Sequence, residues 1–300
     1  YRINRKAAIT WGAHDLHEPD LDALAQGAHS DPFAVLGPMP GNAREQAIHK
    51  IRTCQPGADR VDVVTGAGHY TRMDCVHAGA IFEADVALDA TGYQLKVQRG
   101  NEVRFEHDAY RFGSTIGEVD LYLIGEGTHG NLESILGAHC MQVDAVSGVR
   151  FAVWAPAAKR VSVVGDFNEW DGRRHVMRLH PGTGVWELFL PDVVAGAHYK
   201  YEILSATGSL LPLKSDPFAI RMEPPTGNAS VVYQSNYQWH DDAWMDHRSE
   251  ANAPERAMCI YEVHLGSWRR QEGRWLSYHE LADTLIPYVL DLGFTHIELL

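Results

Sequence analysis

The chain has 300 residues, 45% of them hydrophobic and 22% charged, which suits a soluble globular protein of two domains and part of a third. Its net charge of -13 excludes the basic footprint of a nucleic-acid binder, so no nucleic-acid partner is expected and neutral ligands stay open. No apolar run reaches the roughly 18 residues of a membrane-crossing helix, and the basic start at Arg2, Arg5 and Lys6 lacks the apolar stretch of an export signal.

Residues 1–29 read as a tail with one short helix, Asp20 to Gln26, ended by Gly27. Among the 17 histidines the closest pair is His14-x-x-His17, whose spacing suits neither His-Glu-x-x-His nor a zinc finger, so no metal is expected. No glycine-rich phosphate loop occurs, and no cofactor is expected. Cys54, Cys75, Cys140 and Cys259 form no Cys-x-x-Cys pair. They read as reduced core thiols of a cytoplasmic protein, with a Cys54–Cys75 disulfide as the alternative.

An internal repeat organises residues 30–235. Pro56-Gly57-Ala58-Asp59-Arg60-Val61-Asp62-Val63-Val64 matches Pro156-Ala157-Ala158-Lys159-Arg160-Val161-Ser162-Val163-Val164 at six of nine positions. Leu36-Gly37 pairs with Leu136-Gly137, Ile51 with Phe151, Phe82-Glu83 with Trp186-Glu187, Tyr93 with Tyr199, and Asp108-Ala109-Tyr110 with Asp216-Pro217-Phe218, in preserved order. Two copies are too few for a solenoid and read as duplicated tandem domains. Alternating short strands between turn signals predict an immunoglobulin-like β-sandwich for each, over residues 30–115 and 116–235. Parity in the second copy puts Tyr199, Tyr201 and Ile203 inward and His198, Lys200 and Glu202 outward.

The second copy has an insertion, Gly165-Asp166-Phe167-Asn168-Glu169-Trp170-Asp171-Gly172; the first has Gly66-Ala67-Gly68-His69-Tyr70 there and reads as a spacer or docking domain. Residues 236–255 read as a linker, with Trp239, His240, Asp241, Asp242 and Trp244 as linker packing. Residues 256–300 carry a strand near Cys259–Leu265, a helix Ser277–Leu292 with a Ser277/Glu280 capping box, and a second apolar run from Phe294. Pro287 predicts a kink or break in that helix. This β-α-β order is the start of a (β/α)₈ barrel, which needs roughly 250 residues. A longer enzyme is therefore the expectation. The fold class is mainly β: two tandem immunoglobulin-like sandwiches, then the first β-α-β unit of a truncated (β/α)₈ barrel. Strand position gives Glu262 and His264 structural roles.

Val153-Trp154-Ala155-Pro156-Ala157-Ala158, followed by Val161 to Trp170, resembles a family 48 carbohydrate-binding module. Ahead of Ile260-Tyr261-Glu262-Val263-His264-Leu265-Gly266-Ser267-Trp268, the two sandwiches resemble the bacterial 1,4-α-glucan branching enzymes, with the Gly266-Ser267-Trp268 ending favouring these over debranching relatives. The resemblance spans about residues 30–300. It implies an enzyme that cuts an α-1,4 bond in glucan and transfers the chain to a 6-hydroxyl, by a retaining reaction with an Asp nucleophile and a Glu acid/base. It places those catalytic carboxylates beyond Leu300, so no catalytic residue is named and the 300-residue chain alone is expected to be inactive. It also implies glucan contacts at Trp170, Lys200 and Asn228. An aromatic covers the apolar face of a sugar ring while polar groups take the hydroxyls. The alternatives are that Trp170 packs on its own domain or on the barrel and that Lys200 and Asn228 are plain solvated or turn residues. Where glucan binders carry a further aromatic after the Lys, this chain has Ser209-Leu210-Leu211-Pro212. A non-catalytic glucan-binding or scaffold module is the second reading. Oligomeric state is left open.

Overall fold

The structure, a computed structural model, describes residues 18–40, 48–77, 80–88 and 92–300. Gly12, His14 and His17 lie outside the described residues. The chain divides into one compact unit ending at Ser235 and a second running from Asn236 to Leu300.

The first unit opens with helix α1 (Glu18–Ala25) and a 3-10 turn at Pro32–Ala34. Eight strands follow: β1 (Gly37–Pro40), β2 (Ile48–Cys54), β3 (Arg60–Thr65), β4 (Tyr70–Arg72), β5 (Asp74–His77), β6 (Ile81–Ala87), β7 (Tyr93–Arg99) and β8 (Glu102–Glu106). They form two antiparallel sheets, ordered β1-β2-β6-β5 and β4-β3-β7-β8. Period-two alternation sends Tyr93, Leu95 and Val97 inward. They meet Val61, Val63, Ile51, Phe82 and Val86 in one core. Contributions from both sheets to that core make it a sandwich.

The pattern recurs. Helix α2 (Glu118–Glu126) and a 3-10 turn at Leu132–Ser134 lead into β9 (Gly137–Val143), β10 (Val146–Trp154), β11 (Ala158–Gly165), β12 (Arg178–His180), β13 (Val185–Pro191), β14 (His198–Ser205), β15 (Arg221–Met222) and β16 (Ser230–Val231). The sheets are β12-β13-β10-β9 and β11-β14-β16-β15. Phe151, Val161, Val163, Trp186, Leu188, Tyr199 and Tyr201 fill the core between them, and Ile203 packs against it, as parity predicts.

The matched positions of the repeat are structural in both copies. Ile51 and Phe151 are each fully buried. Tyr93 donates its hydroxyl to the buried Asp108 at 2.6 Å, and Tyr199 donates to the buried Asp216 at 2.7 Å. Each carboxylate also accepts a backbone N–H two residues on, from Tyr110 and from Phe218. Gly37 and Gly137 share a left-handed backbone, at φ 87° and 101°, where a Cβ would press on Tyr110 and Phe218 respectively. The duplication also includes the helices, which sequence reading left unpaired: residues 18–37 and 118–137 agree at seven of twenty positions. His29 and His129 each accept a backbone N–H two residues on, both at 3.1 Å.

All four cysteines are free, so the Cys54–Cys75 alternative does not form. Burial pushes the Cys54 thiol up to about 12. Cys140 is half-buried, while Cys75 and Cys259 are exposed, so the expectation of core thiols is corrected for those two.

The second unit carries α3 (Asp242–Ala251), β17 (Ile260–Val263), a single helical turn α4 (Leu265–Trp268), a short hairpin of β18 (Arg270–Gln271) and β19 (Arg274–Trp275), then α5 (Tyr278–Asp291) and β20 (His296–Leu299). β17 and β20 pair in parallel, Tyr261 beside Ile297, which makes the expected β-α-β unit. Ser277 caps α5 through the backbone N–H of Glu280, and Glu280 accepts in return from Ser277 N at 2.8 Å. Of the expected kink or break, the break does not occur: α5 runs on through Pro287. Proline in a helix interior costs about 3 kcal/mol. The buried residues Leu281, Leu285 and Val289 straddle it, and burying each contributes roughly 1.5–3 kcal/mol. Glu262 is exposed beside Glu298 rather than enclosed in this unit, and His264 bonds Ser267 across 3.1 Å. No helix among the described residues is long and apolar enough to cross a membrane.

Candidate functional site

The insertion after β11 folds into a pinned loop. Gly165 leads into a 3-10 turn, Asp166–Asn168. Asn168 is buried and works as the pin. Its Oδ1 accepts from Gly165 N at 2.9 Å, while Nδ2 donates to Val163 O and faces His175 Nδ1, each at 2.9 Å. Burial, helped by the neighbouring Arg174 cation, drives His175 down to about 3, so its ring is neutral and free to accept. Glu169 and Trp170 then take left-handed backbone, at φ 57° and 61°, and reverse the chain. The Trp170 N–H closes the turn on Gly165 O at 3.1 Å. Two adjacent non-glycine residues there store backbone strain of order 1–3 kcal/mol each, a cost that tends to gather at functional loops.

The turn sets Trp170 half-buried at the surface. Its indole N–H donates to Asp166 Oδ1 at 3.3 Å. The other Asp166 oxygen contacts His198 Nδ1 at 2.9 Å and accepts the His198 backbone N–H at 3.3 Å. Slight burial raises Asp166, but bonds from His198 and Trp170 outweigh it and hold the carboxyl below its usual value. His198 and Lys200 lie on the same outward face of β14, two residues apart. Lys200 donates its ammonium to Asn228 Oδ1. Asn228 stands just before β16, the strand that pairs with β14 through Tyr199 and Ser230. Glu202, next along that face, is held by Arg160 at 2.7 Å.

The structure joins Lys200 directly to Asn228, and ties Trp170 to the start of the same strand through Asp166. Asp166 and His198 were missed as site residues; the available signal was the parity shared by His198 and Lys200. Past the end of β14, Leu210 is 60% exposed, so an aliphatic side chain occupies the place of a further aromatic. In the second unit Trp239 stacks edge-on with Tyr237 at 5.1 Å, is 75% exposed, and so is not buried within that unit's packing. Among the described residues no group of three His, Cys, Asp or Glu side chains is arranged to hold a metal.

Comparison with known proteins agrees with this organisation. Residues 17–110 match the model of the alpha-1,4-glucan branching enzyme GlgB N-terminal domain, and residues 135–219 match carbohydrate-binding module 48, the isoamylase N-terminal domain. The tandem sandwiches, the first matching a branching-enzyme N-terminal domain and the second a carbohydrate-binding module, place the chain in the class of proteins that carry these two modules in series. Within it the chain is 50% identical to the 1,4-alpha-glucan branching enzyme GlgB of Rhodospirillum rubrum over 285 residues, covering 93% of this chain and 38% of that protein. It is 49% identical to the same enzyme of Rubrobacter xylanophilus, covering 94% and 39%, and 48% identical to GlgB 2 of Rhizobium johnstonii, covering 93% and 38%. The chain belongs to the GlgB family of 1,4-alpha-glucan branching enzymes and corresponds to their N-terminal region, spanning about two fifths of these relatives' length.

Proposed function

We propose that the chain serves a glycogen branching enzyme as its α-glucan-holding N-terminal region. The whole enzyme cuts an α-1,4-linked chain and transfers it to a 6-hydroxyl by retaining double displacement. The reaction needs no metal or nucleotide, because the donor is an existing glycosidic bond. Its catalytic carboxylates belong to the later barrel strands, so this chain's contribution is to hold the polymer. On this reading glycogen is the partner and the cytoplasm the location, in keeping with the four free thiols.

The observation that carries the binding reading is the outward face of β14, where Asp166 ties Trp170 to His198, two residues before the Lys200 that pairs with Asn228. The indole supplies a face for the C–H surface of a glucose ring. The ammonium and amide supply donors and acceptors for its hydroxyls. Native electrophoresis of the chain through glycogen-containing gels tests this. Retardation that maltoheptaose reverses, with no new α-1,6 linkage formed, is expected. Migration unchanged by glycogen sinks the reading.

A further inference from the structure

The first sandwich, read from sequence as a spacer or docking domain, presents a side-chain platform of its own. On the outer face of sheet β4-β3-β7-β8, register aligns two adjacent rows. One runs Tyr70, Val64, Gln94; the other runs Arg72, Asp62, Lys96, Phe105. Val103 stands opposite Gln98 beside the second row. Three apolar side chains of this face are left in solvent: Tyr70 at 57%, Phe105 at 52% and Val103 at 45% exposure. The two rings stand on opposite edge strands and are bridged by one cation, with Lys96 Nζ 5.3 Å from the Tyr70 ring centre and 5.9 Å from that of Phe105. Exposed apolar side chains gathered on one sheet face, rather than scattered singly, point to a contact surface.

The chemistry of the face selects the occupant. Rings alternate with an ammonium and the amides of Gln94 and Gln98, a pattern of flat apolar faces edged by hydroxyl partners. Asp62 is paired with Arg60 at 2.8 Å, so the two rows offer a ligand the cations Lys96 and Arg72 and no unpaired carboxylate. The platform also continues into a cavity. Phe105 and His107 line a 430 Å³ hollow between the sandwiches, together with Gln55, Glu106, Arg174 and Asp192. That volume lies within the roughly 300–1,000 Å³ of small-ligand sites. His107 reaches both ways, 3.1 Å from the Gln94 amide and 2.8 Å from Asp192 of the second sandwich. Arg174 Nε is buried there without a hydrogen-bond partner.

We propose that this face is a second α-glucan-binding platform, with Tyr70 and Phe105 stacking on glucose rings, Lys96 and Gln94 bonding hydroxyls, and the inter-sandwich cavity taking one end of the chain. It rests on the reading of the protein as an α-glucan binder but uses none of the β14 residues. The test is affinity electrophoresis of the 300-residue chain in glycogen gels, comparing the unaltered chain, Tyr70→Ala/Phe105→Ala, Lys96→Met and Trp170→Ala. Near-UV circular dichroism checks that each variant keeps its fold. The double variant is expected to weaken retention about fivefold and Lys96→Met about twofold, both additive with Trp170→Ala, and the lost component is one that maltoheptaose competes. Retention unchanged in the double variant overturns the platform, as does a loss that maltoheptaose does not compete. Loss in the double variant with none in Trp170→Ala keeps the platform and removes the β14 site. No retention of the unaltered chain removes both.

Discussion

The two sandwiches share a frame and differ in what they display. Both bury a Tyr–Asp pair, both set a left-handed glycine against the residue two places after that Asp, and both open with a helix and a 3-10 turn. In place of the short hairpin that makes β4 in the first copy, the second has a loop pinned by Asn168 and tipped by Trp170. The frame tolerates this because the loop's polar backbone is satisfied internally and leaves the core strands in register. Duplication kept the buried hydrogen bonds and let the surfaces diverge, one toward a half-buried indole on a pinned turn and the other toward an aromatic sheet face.

The largest expected effect comes from breaking the shared frame. Burial raises both Asp216 and Asp108, and Tyr hydroxyl and backbone bonds stabilise their charged forms. Asp216 accepts two tyrosine hydroxyls, from Tyr199 and Tyr201, whereas Asp108 accepts one, from Tyr93. Asp216→Ala is expected to destabilise the first unit by about 3 kcal/mol, and Asp108→Ala by about 2, in urea denaturation. Equal losses would erase the distinction between the copies.

A pH effect of similar size is expected at Glu187. Burial raises its carboxyl, but bonds from His180, Thr115 and Ser114 overcome this and hold it at about 2. A depressed folded value means the stabilisation is present at neutral pH and fades as acid protonates the carboxylate, over a window from about 4.5 down to about 2. About 3 kcal/mol is lost across that window. Glu187→Gln should flatten this part of the stability curve; an unchanged acid limb would contradict the assignment. Its repeat partner Glu83, paired with Arg52 at 2.8 Å but more exposed, should give a smaller acid effect.

Asn168→Ala removes the loop pin and leaves Gly165 N without its partner, at a cost of about 1–2 kcal/mol. Glycogen retention should fall with it, because Trp170 loses its fixed turn. Stability loss with unchanged retention would show that the loop does not position the indole. The smallest effect is expected for Lys200→Met, about a twofold loss of glycogen retention with stability within roughly 0.5 kcal/mol, because the pair with Asn228 lies at the surface.

Much of the frame was legible because its matched positions are core positions. Val61 and Val63 repeat as Val161 and Val163, and strand parity separated Tyr199 and Tyr201 from Lys200. Helix α1 was expected at Asp20–Gln26, but α2 and its match to α1 were missed because the shared residues are scattered and no strand alternation marks them. Of the kink or break expected at Pro287, the break does not occur because the buried stripe, which local propensity ignores, holds α5 on both sides of it. At the site, Lys200 and Asn228 are 28 residues apart, and the bond between them exists only through strand pairing. The Tyr70–Lys96–Phe105 platform was hidden for the same reason, since its residues come from three strands and meet only once the sheet order is known.

The central claim is that the second sandwich holds α-glucan through the Trp170 turn. Isothermal titration of maltoheptaose into the chain and its Trp170→Ala variant tests it most directly. The account predicts binding by the unaltered chain and roughly tenfold weaker affinity at the β14 site in the variant, a loss of about 1.4 kcal/mol. Identical isotherms for the two proteins would contradict it.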